Sequence, residues 1–201
     1  MKNLLLFGLI LCFSASNCFA VEKILFLGDS LTEGYRLSKK DSYPSLIQEV
    51  LNKEKLKIKV LNGGVSGSTT ASGLSRLRWF LKAKPDLLVL ALGANDGLRG
   101  FSLEDSYKNL EKIIKYALEQ KMKILLCGMK MPPNYGKDYR DGFEKNYIKL
   151  KNKYKLPFYP FLLKGVGGNP KLNLEDGIHP NKKGYEIIAQ NLFEFIKKEF
   201  L

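Results

Sequence analysis

Histidine occurs once in the 201 residues, at His179, so any reaction that needs an imidazole has a single side chain to draw on. Cysteine is nearly as scarce. Of Cys12, Cys18 and Cys127, the first two fall in a stretch that reads as a cleavable leader, and the single thiol left over excludes an intramolecular disulfide in the mature chain. The fold must then be held by its core. No apolar run reaches the roughly 20 residues of a membrane-spanning helix. The run from Leu4 to Phe13, behind Lys2 and ahead of Ser14-Ala15-Ser16-Asn17-Cys18-Phe19-Ala20, instead has the make-up of a secretory signal over residues 1–20. That predicts a periplasmic or secreted protein. Acylation at Cys18, as in a lipoprotein, is the weaker alternative, because Asn17 is a poor neighbour for it. No linker, repeat or low-complexity tract divides residues 21–201, a length that suits one domain with a sizeable core.

Acidic residues are outnumbered, and the formal net charge is +13. A nucleic-acid partner would fit that charge, but Lys108, Lys112, Lys115 and Lys121 are interspersed with Glu104, Asp105, Glu111 and Glu119 along one helical pattern. Mixed signs of this kind mark a solvated face. Export also argues against nucleic acid, which leaves anionic lipid headgroups as the macroscopic partner a basic surface would attract.

What the chain does have is a series of apolar runs, each ending in small or polar residues. Ile24 to Leu27 is apolar without alternation, as a strand buried on both faces of a parallel sheet requires, and it stops at Gly28-Asp29-Ser30. Ser42-Tyr43-Pro44 starts a helix, and Lys57 to Leu61 alternates as an edge strand. Asn62 to Thr69 reads as a glycine-rich loop before a helix carrying Leu74, Leu77 and Leu81. Leu87 to Leu92 is a second central strand, ended by Gly93-Ala94-Asn95-Asp96. A helix over Leu103 to Gln120 follows, with Leu103, Tyr107, Leu110, Ile114 and Leu118 on its buried face. Lys123 to Cys127 is the fourth strand, a helix spans Tyr139 to Lys153, and Phe158-Tyr159 between prolines suits an edge. Asp176-Gly177-Ile178-His179-Pro180 precedes a last helix capped by Asn181. Strands alternating with helices predict an α/β fold, a three-layer α/β/α sandwich of flavodoxin-like type. Its five-stranded parallel sheet takes the order 2-1-3-4-5.

That order sends Ser30, Gly67, Asn95, and Asp176 with His179, to the carboxyl edge of the sheet, where open α/β sheets bind ligands. Each has a plain structural reading: Ser30 as a helix cap, Gly67 as a tight turn, Asn95 as a cap or turn residue, His179 as a hydrogen-bonded structural histidine. Their convergence permits another reading. Ser30 would be a nucleophile, His179 its base and Asp176 the carboxylate that orients the imidazole. The Ser30 and Gly67 amides and the Asn95 side-chain NH2 would then be donors to an oxyanion.

Gly28-Asp29-Ser30-Leu31, Gly67 after Asn62, Gly93-Ala94-Asn95-Asp96 and Asp176-Gly177-Ile178-His179-Pro180 resemble, in order, the four sequence blocks of the SGNH, or GDSL, hydrolases. The longer runs from Gly28 to Arg36, from Asn95 to Phe101 and from Pro133 to Gly136 are similar to those of its periplasmic acyl-CoA thioesterase I, lysophospholipase and arylesterase subgroup. The resemblance implies a serine esterase with Ser30, Asp176 and His179 as catalytic residues, an oxyanion hole of Ser30, Gly67 and Asn95, and neither metal nor cofactor. It further implies that Asp96 to Phe101 moves as a gate, with Leu98 and Phe101 facing the acyl chain, and that Met131 and Tyr135 help line the acyl site. The chain departs from that pattern at Ala94, where relatives often have glycine, and at Ser68, where they often have aspartate. The expected substrates are lysophospholipids, short to medium acyl esters and acyl thioesters, and the expected form is a monomer. A carbohydrate O-acetylesterase is the alternative within enzymes, and an anion-binding module the alternative outside them.

Overall fold

A computed structural model describes residues 20–201 of the chain. The expected leader, with Cys12 and Cys18, lies outside the described residues apart from Ala20. Five strands form one parallel sheet: β1 (Lys23–Gly28), β2 (Lys59–Gly64), β3 (Leu87–Ala91), β4 (Lys123–Cys127) and β5 (Phe158–Tyr159). Their order is β2-β1-β3-β4-β5, as predicted. Every residue of β3 is buried, as are Ile24 to Leu27 in β1, because helices cover both faces of these central strands.

The helices are α1 (Ser30–Glu33), α2 (Tyr43–Lys53), α3 (Gly73–Phe80), α4 (Ala94–Leu98), α5 (Leu103–Glu119), α6 (Lys137–Tyr154) and α7 (Lys182–Phe200). α2 packs on α7 over one face of the sheet, and α3, α5 and α6 pack in series over the other. Asn181 caps α7 as expected, its side chain accepting from the Gly184 N–H at 3.1 Å. Cys127, at the end of β4, is a free buried thiol.

Three local expectations are corrected. β2 starts at Lys59 and runs on through Asn62-Gly63-Gly64, which pattern alone assigns to a loop. Gly63 pairs with Leu27 in the ladder, and a Cβ there would come within 2.9 Å of both Phe26 O and the Phe80 ring, so the strand continues where side chains have no room. The buried face of α5 carries Leu110, Ile113, Ile114 and Ala117, whereas Leu118 is exposed. The Asn95 segment, expected as a strand-ending turn, is helical over Ala94 to Leu98.

Candidate active site

β1 delivers its last residue, Gly28, to the carboxyl edge of the sheet, and α1 starts two residues later. A Cβ on Gly28 would sit 1.8 Å from Thr32 Oγ1 and 3.0 Å from Ala91 O, so it is space that demands glycine at this turn. The residue that caps α1 is Asp29. Its Oδ1 accepts from the Leu31 N–H at 3.0 Å, and its backbone carbonyl accepts from Thr32 and Glu33. The Ser30 hydroxyl is thereby left for another partner.

That partner is His179. Ser30 Oγ lies 2.8 Å from His179 Nε2, across 149 residues of chain, and His179 Nδ1 lies 2.8 Å from Asp176 Oδ2. The other Asp176 oxygen accepts from the backbone N–H groups of Ile178 and His179 at 3.1 and 3.0 Å. Burial pushes the Asp176 carboxyl up, but the bonds it accepts from His179 and Ile178 outweigh that and hold it below the usual carboxylate range. An ionised carboxylate only accepts, so the Nδ1 atom carries the imidazole proton and Nε2 is free to accept from the serine hydroxyl. The Tyr35 ring packs against the imidazole with centroids 4.5 Å apart.

The predicted oxyanion donors sit on the loop after β2, in α1 and in α4. Gly67 adopts φ 73°, in the left-handed region, and its N–H has no acceptor among the described residues. The Ser30 N–H, in the first turn of α1, is likewise unbonded among the described residues. Asn95 Nδ2 gives one hydrogen to Ser68 O at 3.0 Å and has a second to offer. Ser30, Gly67 and Asn95 all border one cavity of about 520 Å³, which His179 also borders.

The wall of that cavity is largely apolar, with Leu98, Met129, Met131, Phe161, Leu163 and Ile178 contributing. Of the residues expected to meet the acyl chain, Leu98 and Met131 border this cavity and Tyr135 and Phe101 do not. Tyr135 supports the wall from behind, its hydroxyl donating to Leu98 O at 2.8 Å, and Phe101 is 46% exposed outside the cavity, with its carbonyl held by the Tyr139 hydroxyl at 3.0 Å. Within Asp96 to Phe101, the segment expected to move as a gate, the first two residues are closely held. Asp96 is buried and bonded to the Thr70 N–H at 2.9 Å and the Thr70 hydroxyl at 2.6 Å, and Gly97 is wedged against Met131 and Phe143. Further along, Gly100 at φ 65° has open space where a Cβ would sit. Among the described residues no group of three or more His, Cys, Asp or Glu side chains is placed to hold a metal ion.

A parallel α/β sheet with a serine at the end of its first strand, bonded to a histidine from a loop near the C-terminus, defines a serine hydrolase. Residues 26–187 match the GDSL-like Lipase/Acylhydrolase family, and the chain belongs to it. It is 39% identical to an arylesterase of Vibrio mimicus, with 100% of this chain and 98% of the relative covered. It is 36% identical to thioesterase 1/protease 1/lysophospholipase L1 of Escherichia coli, over 92% of this chain and 86% of that protein. The crystal structure of TesA superposes with a TM-score of 0.84 at 35% identity, covering 88% of this chain and 99% of that one.

Proposed function

We propose that the protein hydrolyses carboxylic esters and thioesters of apolar acyl chains, lysophospholipids among them, through an acyl-enzyme on Ser30. The observation that carries this reading is the continuous chain Asp176–His179–Ser30, two links of 2.8 Å opening onto an apolar cavity. His179 Nε2 takes the Ser30 proton as Oγ attacks the acyl carbonyl. The imidazolium formed is stabilised by Asp176 and then protonates the leaving alcohol or thiol. The negative oxygen that develops is met by the N–H groups of Ser30 and Gly67 and by Asn95 Nδ2. A water molecule, activated by the same imidazole, then releases the acid. The apolar wall favours an acyl chain over the acetylated sugar of the alternative reading, which calls for a shallower and more polar pocket. The activities named for the Vibrio and Escherichia relatives, arylesterase and thioesterase/lysophospholipase, support the same substrate range. The leader expected over residues 1–20 would place this activity in the periplasm or outside the cell. Its test is a panel of p-nitrophenyl esters of increasing chain length run beside lysophosphatidylcholine, an acyl-CoA and an acetylated sugar, with fluorophosphonate labelling. Turnover of acyl esters with the label on Ser30 is expected, and its absence after Ser30→Ala. Turnover unchanged in Ser30→Ala would overturn the mechanism.

A further inference from the structure

One strongly bonded acidic side chain beside the nucleophile has no part in these steps. Glu33 ends α1, the helix that opens with Ser30, and its Oε2 accepts from the Ser66 N–H at 2.7 Å and also from the Ser66 hydroxyl. Ser66 directly precedes Gly67. The segment 65–67 is exposed, and Val65 at 50% exposure gives it little apolar anchorage. A short exposed loop with a left-handed glycine samples many conformations unless something ties it down. An oxyanion donor, in turn, lowers the barrier only when its N–H is already aimed.

The ties present are polar and lie on both sides. Towards α1, Gly64 approaches so closely that a Cβ would sit 2.1 Å from Glu33 N, Asn62 Nδ2 donates to Thr32 O at 3.0 Å, and Glu33 takes both Ser66 donors. Towards α4, Arg99 Nη2 donates to Gly67 O at 3.2 Å and Asn95 Nδ2 to Ser68 O at 3.0 Å. The Val65 N–H also donates to Gly28 O at 3.3 Å, but among the described residues Glu33 is the one side chain on the α1 side that grips the loop at the residue next to the donor.

We infer that Glu33 is a positioning residue for the hydrolysis: by holding the Ser66 N–H and hydroxyl, its carboxylate fixes the direction of the Gly67 N–H relative to the carbon attacked by Ser30. This rests on the reading of Gly67 as an oxyanion donor. A carboxylate near a developing anion repels it, so the benefit comes from geometry and not from the charge. Glu33→Gln, which keeps an acceptor oxygen and loses the charge, should therefore substitute for it.

The test is steady-state hydrolysis of p-nitrophenyl butyrate by Glu33→Ala, Glu33→Gln, Ser66→Ala and the Glu33→Ala/Ser66→Ala pair, with the rate of Ser30 phosphonylation by a fluorophosphonate as a second readout. Loss of a whole donor costs about 10²- to 10³-fold in kcat, and a loosened donor a part of that, so Glu33→Ala should lower kcat roughly tenfold with KM within about twofold. Glu33→Gln should stay within about threefold of the parent, and Ser66→Ala should add little to Glu33→Ala, since the two share one interaction. Phosphonylation should slow in step with kcat, because its tetrahedral adduct uses the same N–H. Unchanged kcat in Glu33→Ala and Ser66→Ala, an equal loss in Gln and Ala, or a loss confined to KM would each overturn the inference. If Glu33→Ala does not fold, Ser66→Ala, which removes the hydroxyl bond and keeps the N–H bond, should give a smaller loss of kcat with KM unchanged, and kcat equal to the parent would then overturn the inference. A parent protein with neither turnover nor label at Ser30 would refute the hydrolase reading itself, whereas a fully active parent with fully active variants refutes Glu33 alone.

Discussion

Replacing Asp29 by asparagine should stabilise the protein above neutral pH. Asp29 is 1% exposed, its Oδ1 caps α1, and its Oδ2 has no hydrogen-bond partner among the described residues. Burial pushes its carboxyl up from the usual 3.8 to about 7; the bonds from Leu31 and its own backbone and the cation of Arg76 pull the other way without offsetting it. Because the folded-state value is raised, the contribution to stability is present in full below 3.8 and is lost as pH rises through about 7. Ionised Asp29 then costs the difference between those two values, which at 1.36 kcal/mol per decade is roughly 4 kcal/mol. Asparagine keeps the capping oxygen and cannot ionise. Between pH 5 and pH 8 the stability of Asp29→Asn over the parent should therefore widen by roughly 3 kcal/mol, the part of the titration that falls in that window. For a domain of this size that is a gain in relative Tm on the order of 10 °C. Urea unfolding of both proteins at half-unit pH steps measures it. Two curves that run parallel across the window, or a variant less stable than the parent at pH 8, would refute the assignment of a buried carboxyl whose ionisation is costly at this position.

Asn95→Ala should lower kcat by roughly 10²-fold or more while leaving KM nearly unchanged, since an oxyanion donor acts in the transition state; a change confined to KM would make Asn95 a binding residue. Hydrogen exchange with and without a bound fatty acid should show added protection at residues 98–101 and none at Asp96 or Gly97, which are already held by Thr70 and Met131. Equal exchange in both states would count against a gate. Diethyl pyrocarbonate has one histidine to modify, so one carbethoxylation per chain should abolish turnover and hydroxylamine should restore it; full activity in modified protein would rule out imidazole as the base. Burial pushes the Cys127 thiol up, so a disulfide reagent should leave native activity intact and react only once the chain is unfolded.

The parts of the fold legible in the sequence were those written in side-chain burial. Ile24 to Leu27 and Leu87 to Leu92 carry no polar alternation because helices cover both faces of their strands, and the strand order follows once crossovers must be right-handed. What burial does not encode was misplaced. β2 continues through Asn62-Gly63-Gly64 because its pairing to β1 needs backbone alone and its neighbours leave no room for a Cβ. Gly28 and Gly67 look alike in sequence, yet one is glycine for space and the other for a left-handed φ.

The site divides along the same line. Ser30, His179 and Asp176 could be placed together because each follows an element whose position the sheet order dictates, and the link across 149 residues needs no finer information than that. Whether a side chain faces the cavity or braces it depends on contacts that no periodicity records: Tyr135 and Leu98 both sit in apolar surroundings, and only the bond from the Tyr135 hydroxyl to the Leu98 carbonyl separates the brace from the wall. Glu33 is the extreme case. In the run Ser30-Leu31-Thr32-Glu33 it reads as one more exposed acid of a first helical turn, and its partner is Ser66, 33 residues away on a loop without a side-chain pattern of its own. The catalytic groups of such a fold are therefore readable from topology, while the groups that aim them are readable only from the backbone donors left unbonded beside them. Gly67 is such a donor, and following its neighbours outward leads to Glu33 on one side and Arg99 on the other.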